Sequence, residues 1–270
     1  MTTATPQNSI SPTSEAGTSR LSSWWGTVAF EWTKLVSVRS TWWILASALA
    51  CTLAGSWLLG ASALASGRNG FDTAMPAPAI VVQTMLIVEM ALVLLGTFAI
   101  TSEYSTGSIM TTLQSVPRRF RVLAGKTVVL LIIGIVAGAA LILVGTPVAA
   151  GAAAEFGRFE SPDLARAMIG TGVGLALLSI FVLGLGAALR SAAFTIITAL
   201  ALLHVVPNIL PLFGVEAISD LAQYLPNQAI AVLAVETTQP YEWPVALAVL
   251  VGWAGAGLLF GYAMLRSRDA

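Results

Sequence analysis

Three residues with chemically useful side chains lie inside long apolar stretches: Glu89, His204 and Asn208. A carboxylate within a membrane segment is costly, and it normally faces the interior of a helix bundle or a cavity. Glu89 is therefore either a residue of a translocation path or subunit interface, or a structural glutamate held by hydrogen bonds. His204 and Asn208 stand one helical turn apart and are candidates for the same path or interface, while a packed, neutral histidine is the alternative for His204.

The chain offers little material for a metal site or an active site. Its one cysteine, Cys51, and one histidine exclude an intrachain disulfide and a zinc site built on cysteines. The phosphate-loop pattern GxxxxGK followed by Ser or Thr is missing, as are the HExxH and GxSxG motifs. We therefore expect no catalytic residue, no metal and no cofactor in this chain, which indicates a protein that is not an enzyme.

The composition is that of a protein whose solvent is lipid. Hydrophobic residues make up 57% of the 270 residues and charged residues 10%, whereas a soluble domain carries about 25% charged residues. So few charges could not cover a soluble core of this size with polar surface. The formal net charge is zero, so overall charge gives no indication of a nucleic-acid partner.

Six apolar runs are long enough to cross a hydrocarbon core of about 30 Å as helices, which requires about 20 residues each. The predicted spans cover residues 42–65, 79–101, 127–150, 167–189, 192–213 and 244–265. The predicted fold class is therefore an all-α integral membrane protein with six transmembrane helices. Pro207 removes a backbone hydrogen bond within the fifth span, so a kink is expected there.

The positive charges indicate the orientation of the spans. With the N-terminus inside, ten Lys and Arg residues fall on the cytoplasmic side and only three, Arg68, Arg158 and Arg166, on the other. Loops rich in Lys and Arg stay in the cytoplasm. Both termini are therefore expected to be cytoplasmic, and the six-span region extends over residues 41–270.

Two segments precede the first span. Residues 1–22 are rich in Thr, Ser and Pro without an apolar run, which predicts a disordered cytoplasmic tail. In residues 23–40, apolar side chains recur at helical spacing, with Thr27, Glu31 and Lys34 on the opposite face. This pattern predicts an amphipathic helix in the headgroup layer, with Glu31 and Lys34 as an i,i+3 pair. The alternative is a simple extension of the first span.

The connections between spans differ greatly in length. Arg190 and Ser191 alone join the fourth and fifth spans, which predicts a tight hairpin with Ser191 as the helix N-cap. The connection 214–243 contains two short helical patterns, and either a re-entrant or surface helix pair or a plain amphipathic loop would fit it. Glycine pairs with GxxxG spacing at 134 and 138, 170 and 174, and 257 and 261 would allow close helix contacts.

The longest polar interruption, residues 102–126, holds four of the thirteen Lys and Arg residues. Ser105–Ser115 predicts a short helix with Ile109 and Leu113 on one face, and Pro117 suits the first turn of the next helix. Arg118, Arg119, Arg121 and Lys126 can pair with anionic lipid headgroups or with an acidic partner. An ordinary cytoplasmic loop would explain the basic residues, but it would not explain the apolar face of the short helix.

Two motifs connect this chain to a known family. The first is Phe30-Glu31-Trp32-Thr33-Lys34-Leu35 with Ser37-Val38-Arg39-Ser40-Thr41-Trp42-Trp43; the second is Glu103-Tyr104-Ser105-Thr106-Gly107-Ser108-Ile109 with Thr112-Leu113, Val116-Pro117-Arg118-Arg119, Arg121-Val122-Leu123 and Lys126. Both resemble permease subunits of the type-2 ABC exporter family, especially those of actinobacteria. The six-span plan and Tyr224-Leu225-Pro226-Asn227 are also similar, so the resemblance covers nearly all of the chain after its tail.

The resemblance implies a function. Residues 103–116 match the position that docks on a separate ATPase subunit, with Glu103, Tyr104, Thr106, Gly107, Ile109 and Leu113 as its coupling residues, and residues 23–38 match the connecting helix. A permease of this kind resides in the bacterial inner membrane as a homodimer or beside a second permease. ATP and Mg²⁺ would be held by the ATPase. Alternatives are an integral-membrane enzyme using Glu89 or His204, and a non-transporting membrane anchor or sensor.

Overall fold

The computed structural model describes residues 24–107, 119–235, 237 and 239–267, without the side chains of Arg119 and of residues 216–219. The predicted tail, residues 1–22, lies outside the described residues. So does most of the predicted docking helix Ser105–Ser115, including Ile109 and Leu113.

Helices account for nearly all of the described chain. They are α1 (Trp24–Ser37), α2 (Arg39–Arg68), α3 (Ala77–Ser105), α4 (Arg119–Ala153), α5 (Ser161–Leu189), α6 (Ala192–Leu200), α7 (Val206–Ile209), α8 (Glu216–Gln223), α9 (Pro226–Ala234) and α10 (Trp243–Ser267). Six helical segments are long and apolar enough to cross a membrane. The six predicted spans and the all-helical fold are therefore confirmed, and these segments are those of a multi-pass membrane protein.

The fifth span is a broken helix. A π-helical turn, Ala201–Val205, separates α6 from α7, and a 3₁₀ turn, Leu210–Phe213, ends the span. Pro207 has no N–H to donate to the carbonyl group four residues earlier, so the regular ladder cannot continue through this region. A kink was predicted at Pro207, and the structure has a π-helical turn immediately before this residue.

The long helices leave two distinct ends of the bundle. At one end, called here the ionic end, α2, α4 and α6 begin, and α3, α5 and α10 finish. Contacts across this end include the rings of Phe120 and Tyr262, whose centroids are 6.1 Å apart. The hairpin between α5 and α6 also lies here, and Ser191 caps α6 by accepting a hydrogen bond from the backbone N–H of Phe194 at 3.5 Å, as predicted.

Helix α5 is the centre of the bundle, because glycines let its neighbours approach its backbone. A Cβ atom on Gly138 of α4 would lie 2.7 Å from the Cα atom of Gly172, and one on Gly257 of α10 would lie 2.7 Å from the carbonyl oxygen of Phe181. Lipid provides no hydrophobic driving force between helices, so such close van der Waals packing carries the association. The close contacts predicted from GxxxG spacing are confirmed for these helices.

The opposite end is closed by the connection between α7 and α10. It forms the helix pair α8 and α9, so the plain-loop alternative is wrong. Helix α9 is buried through Ala229, Ile230 and Val232. The Tyr241 hydroxyl donates to the carbonyl oxygen of Gln223 at 2.6 Å. At the same end the loops after α2 and after α4 meet in a two-residue parallel strand pair, Met75–Pro76 (β1) with Gly157–Arg158 (β2).

Candidate functional site at the ionic end

Four charged side chains meet where α1, α3 and α4 converge, and they are called here the ionic cluster: Glu31, Lys34, Glu103 and Lys126. The Lys126 ammonium lies 2.6 Å from Glu31 Oε2 and 2.5 Å from Glu103 Oε1. The Lys34 ammonium lies 2.6 Å from the same Glu103 oxygen. Two positive and two negative charges balance, and each ion pair joins two different helices.

Most of the ionic cluster is shielded from solvent. The exposed fractions of the side chains are 0% for Glu103, 3% for Lys126 and 4% for Glu31, whereas Lys34 keeps 33%. A buried charge is tolerated only when an opposite charge and hydrogen bonds compensate for its lost hydration. The cluster therefore holds together only as a set, and Lys34 is its one solvent-facing member.

A glycine allows α1 to reach the cluster. A Cβ atom on Gly125 would lie 3.1 Å from Thr27 Cγ2 and 3.6 Å from Glu31 Cγ, so the bare backbone of α4 is what α1 packs against. Thr27 and Glu31 recur at i and i+4 and form the buried face of α1. The spacing of these two polar residues thus sets which side of α1 faces the bundle.

This arrangement corrects the prediction for α1. An amphipathic helix in the headgroup layer was predicted, with Thr27 and Glu31 on its polar face, but both residues are buried against α4. The exposed side chains are instead Trp24, Trp25, Phe30 and Trp32. The predicted pair of Glu31 with Lys34 is also wrong, because each bonds to a residue of another helix. A surface surrounded by lipid can be apolar, so the polar side of the helix is free to serve as the protein contact.

The electrostatics of Glu31 reflect its burial. Removal from water raises the pKa of the Glu31 carboxyl above its ordinary value of 4.5, and Lys126 only partly offsets that rise. Since the folded-state pKa is raised, the corresponding contribution to stability is fully present below pH 4.5 and is lost as the pH rises through the folded-state value. Glu31 is thus an expensive member of the cluster at neutral pH.

Tyr104, next to Glu103, links the cluster to the hairpin between α5 and α6. The Arg190 guanidinium lies 5.3 Å from the centroid of the Tyr104 ring, a cation–π distance. The Tyr104 hydroxyl donates to the carbonyl oxygen of Ala187 at 3.5 Å. The last turn of α3 is consequently tied to α1 and α4 through Glu103, and to α5 and α6 through Tyr104.

The predicted coupling residues separate into three groups. Glu103 and Tyr104 form the joints just described. Thr106 and Gly107 are exposed at the beginning of the following segment, where Gly107 has a positive φ of 70° that glycine adopts without strain. Ile109 and Leu113 lie outside the described residues.

A cavity of about 340 Å³ adjoins the ionic cluster between α1, α2, α3 and α4. Its polar wall carries Glu31, Lys34 and Lys126, and its apolar wall includes Leu35, Ile44, Leu95 and Phe98. The site therefore combines charge with an apolar lining, as the edge of a lipid layer does.

The three polar residues of the apolar runs are not brought together. Glu89 is 3% exposed and lines a separate cavity, whereas His204 lies in the π-helical turn of the fifth span. Asn208 is exposed and its side-chain amide donates to the carbonyl oxygen of His204 at 2.6 Å. That local bond gives Asn208 a role in the broken helix, and neither His204 nor Asn208 lines the cavity of Glu89.

Lys126 is the residue that sequence reasoning missed. It was placed among basic residues near lipid headgroups, yet it is the centre of the ionic cluster. Gly125-Lys126-Thr127 shares the last three residues of a phosphate loop, but Phe120 stands where the first glycine is required, and the segment is continuous helix. The signal that could have found Lys126 is a lysine beside a glycine within an otherwise apolar helix.

The described residues contain no group of three or more His, Cys, Asp or Glu side chains that could hold a metal ion. The lysines and glutamates of the ionic cluster neutralise one another, and their ion pairs connect α1, α3 and α4. No protein-family model matches the chain, and no curated protein matches it.

Proposed function

We propose that this chain is the membrane-spanning permease subunit of an ATP-binding cassette exporter, driven by a separate ATPase subunit that docks on residues 103–116. The observation that carries the proposal is the construction of the joint below that segment. Glu103 begins the segment, Lys126 follows it, and the two side chains meet in a buried ion pair. A push on the segment therefore reaches two spans at once.

The contacts around this joint suit force transmission. Lys126 and Glu103 connect to α1 through Glu31 and Lys34, and Tyr104 connects to the hairpin of α5 and α6. Separating a buried ion pair is far more costly than bending an exposed loop. Motion of a docked partner would thus move the spans together, and ATP with Mg²⁺ would be held by that partner, since the sequence lacks a complete phosphate loop.

The proposal includes an orientation. The ionic end faces the cytoplasm of a bacterial cell, both termini lie on that side, and a second permease, identical or related, completes the translocation unit in the inner membrane. Support comes from the distribution of Lys and Arg, which favours the ionic end by ten to three. The cargo is a substrate that the apolar faces of the spans do not specify.

Co-purification tests the function. The tagged chain, co-expressed with each ABC-type ATPase found in a neighbouring reading frame and extracted in mild detergent, should retain one of them. Ile109→Pro should abolish the association, because proline breaks the predicted docking helix. Phe159→Pro is the matched control, since Phe159 is an exposed apolar residue outside any helix at the opposite end. Association and ATP-driven transport that survive Ile109→Pro would overturn the docking site.

Reconstituted vesicles separate the remaining alternatives. An exporter moves its cargo only when the ATPase and ATP are present. A membrane enzyme would instead show a reaction without the ATPase that Glu89→Gln abolishes, and an anchor would show neither. Impermeant maleimide labelling of single cysteines, at Thr106 and at Phe159 in a Cys51→Ala background, checks the orientation: only the Phe159 position should react on intact cells.

A further inference from the structure

The cavity beside Glu89 lies between the middle of α3 and the first turns of α9. Its volume is about 260 Å³. Helix α3 contributes Val82, Gln83, Met85, Leu86 and Glu89, and helix α9 contributes Asn227, Gln228, Ile230 and Ala231. The cavity thus lies between α3, which also carries Glu103 of the ionic cluster, and α9, which helps to close the opposite end of the bundle.

Glu89 is the unusual member of this lining. Its side chain is nearly fully buried, with 3% of the residue exposed. Its Oε2 atom has no hydrogen-bond partner among the described residues, and no ion pair of the described chain includes it. A carboxylate in apolar surroundings without a partner is costly to keep. The cavity next to it is the space from which a partner can come.

The other walls define what that partner looks like. Three amide side chains, Gln83, Asn227 and Gln228, supply hydrogen-bond acceptors and donors around the carboxylate. Met85, Leu86 and Ile230 supply an apolar surface. The volume is many times the ~30 Å³ that one water molecule occupies in the liquid, and it approaches the roughly 300 Å³ at which ligand pockets begin.

We infer that this cavity binds an organic ammonium cation with an apolar body. The ammonium group donates to Glu89 and to the amide oxygens, while the body packs on Met85, Leu86 and Ile230. A calcium ion fits less well, because Ca²⁺ takes six to eight oxygen ligands, commonly with more than one carboxylate among them, and Glu89 is the one carboxylate among the described residues that line the cavity. The inference needs only this chain and stands apart from the proposed ATPase partnership.

Binding is tested on the purified chain in phosphatidylcholine nanodiscs, without any ATPase. The probe is phenethylammonium, and 2-phenylethanol is the neutral control of the same shape. Two readouts are followed: the thermal unfolding midpoint, which a ligand of the folded state raises, and modification of Glu89 by dicyclohexylcarbodiimide, quantified by peptide mass spectrometry. The ammonium should raise the midpoint saturably and protect Glu89, and the alcohol should do neither.

Variants make the result specific. Glu89→Gln should weaken phenethylammonium binding by roughly tenfold or more, the effect of losing one charge-assisted hydrogen bond. Ala231→Met should also abolish binding by filling the cavity, and it leaves Glu89 in place if the glutamine variant does not fold. Glu242→Gln removes an exposed carboxylate that does not line the cavity. This control variant should bind phenethylammonium like the original chain.

Three results would overturn the inference: equal protection by 2-phenylethanol, equal protection by sodium or potassium chloride, or unchanged affinity in Glu89→Gln and Ala231→Met. Absence of saturable binding in the original chain would do so as well. None of these results bears on whether an ATPase docks at the ionic end, so failure of the two proposals can be told apart.

Discussion

Glu103 and Glu89 lie on the same helix, both are buried, and their surroundings are opposite. Glu103 Oε1 receives two lysines from two other helices, although its Oε2 atom has no hydrogen-bond partner among the described residues. Glu89 Oε2 faces a cavity and has no hydrogen-bond partner among the described residues. Their separation of fourteen positions corresponds to about 21 Å along an α-helix, so one helix holds an ion-paired glutamate near its end and a glutamate without an ion pair near its middle.

This difference indicates that Glu103 contributes to the stability of the bundle, whereas Glu89 is the candidate for ligand binding. A compensated buried charge holds helices in a fixed arrangement, and its removal exposes its partners to the full cost of burial. An acidic group buried without a partner costs stability, and a ligand in the adjoining cavity is the reason we propose for its presence. The predictions below challenge this division, beginning with the largest effect.

Replacing Lys126 by methionine should have the greatest effect on the ionic cluster. The substitution leaves Glu31 and Glu103 buried with only Lys34 nearby, and breaking a buried ion pair typically costs about 3–5 kcal/mol. We expect a large fall in the thermal unfolding midpoint in detergent and reduced accumulation in the membrane. Lys126→Arg is the control that keeps the positive charge, and it should be less destabilising than Lys126→Met, although the guanidinium group is larger than the ammonium group.

A compensated variant distinguishes electrostatics from packing. Glu31→Gln and Glu103→Gln added to Lys126→Met remove the three buried charges together, and stability should partly return, because the one ion that loses its partner, Lys34, is 33% exposed. If the triple variant were no more stable than Lys126→Met, lost packing rather than charge would explain the fall.

The matched pair Glu103→Gln and Glu89→Gln tests the comparison directly. Each substitution replaces one carboxylate oxygen of a glutamate on α3 by an amide nitrogen. Glu103→Gln should destabilise by about 1.5–3 kcal/mol, since hydrogen bonds to a charged group are lost. Glu89→Gln should leave the unfolding free energy unchanged or raise it, because no partner in the described chain is lost. Equal destabilisation by the two variants, in reversible unfolding by denaturant, would remove the distinction.

A smaller effect is expected where α3 meets the hairpin of α5 and α6. Arg190→Ala should destabilise by roughly 0.5–1 kcal/mol through loss of the cation–π contact with Tyr104. A double-mutant cycle with Tyr104→Leu isolates the pair, and a positive coupling energy is expected. Strict additivity of the two substitutions would show that the 5.3 Å contact contributes nothing.

The smallest effect concerns Tyr241, outside the ionic end. Burial and the neighbouring Tyr224 raise the pKa of the Tyr241 phenol from 10 to about 12. Because the folded-state pKa is the higher one, this contribution to stability is present below pH 10 and is lost as the pH rises towards 12. Tyrosinate absorbance should show one of the four tyrosines ionising late, and Tyr241→Phe should remove that late step.

Much of the fold could be predicted because lipid leaves few choices. Backbone groups must be satisfied within each span, so length and apolar character alone indicate the six helices. Ser191 as an N-cap and the close packing at Gly138 and Gly257 follow from short sequence patterns that can be recognised without knowing which helices are neighbours. The apolar limits at 101 and 127 are not the ends of the helices, because α3 runs to Ser105 and α4 begins at Arg119. The start of α4 lies close to Pro117, which was predicted to stand in its first turn.

The ionic cluster shows why the ends and the site were harder to predict. Glu31, Glu103 and Lys126 are far apart in the chain, and a hydropathy pattern treats each of them as the boundary of a span. Because their charges compensate one another when they are paired, these residues can be buried, and the helices continue past them. Amphipathic spacing in α1 likewise predicts a face without saying whether it meets water or protein. Only the arrangement of helices resolves both points.

The π-helical turn in the fifth span has a consequence for how that span responds to substitution. One extra residue in a turn rotates everything after it by about 100° relative to a continuous helix. The exposed residues Phe194 and Ile197 of α6 and Ile209 of α7 lie on either side of this turn. Deletion of one residue within Ala201–Val205 should therefore rotate Ile209 by about 100° relative to Phe194, which a cysteine-accessibility scan of residues 192–213 before and after the deletion would detect.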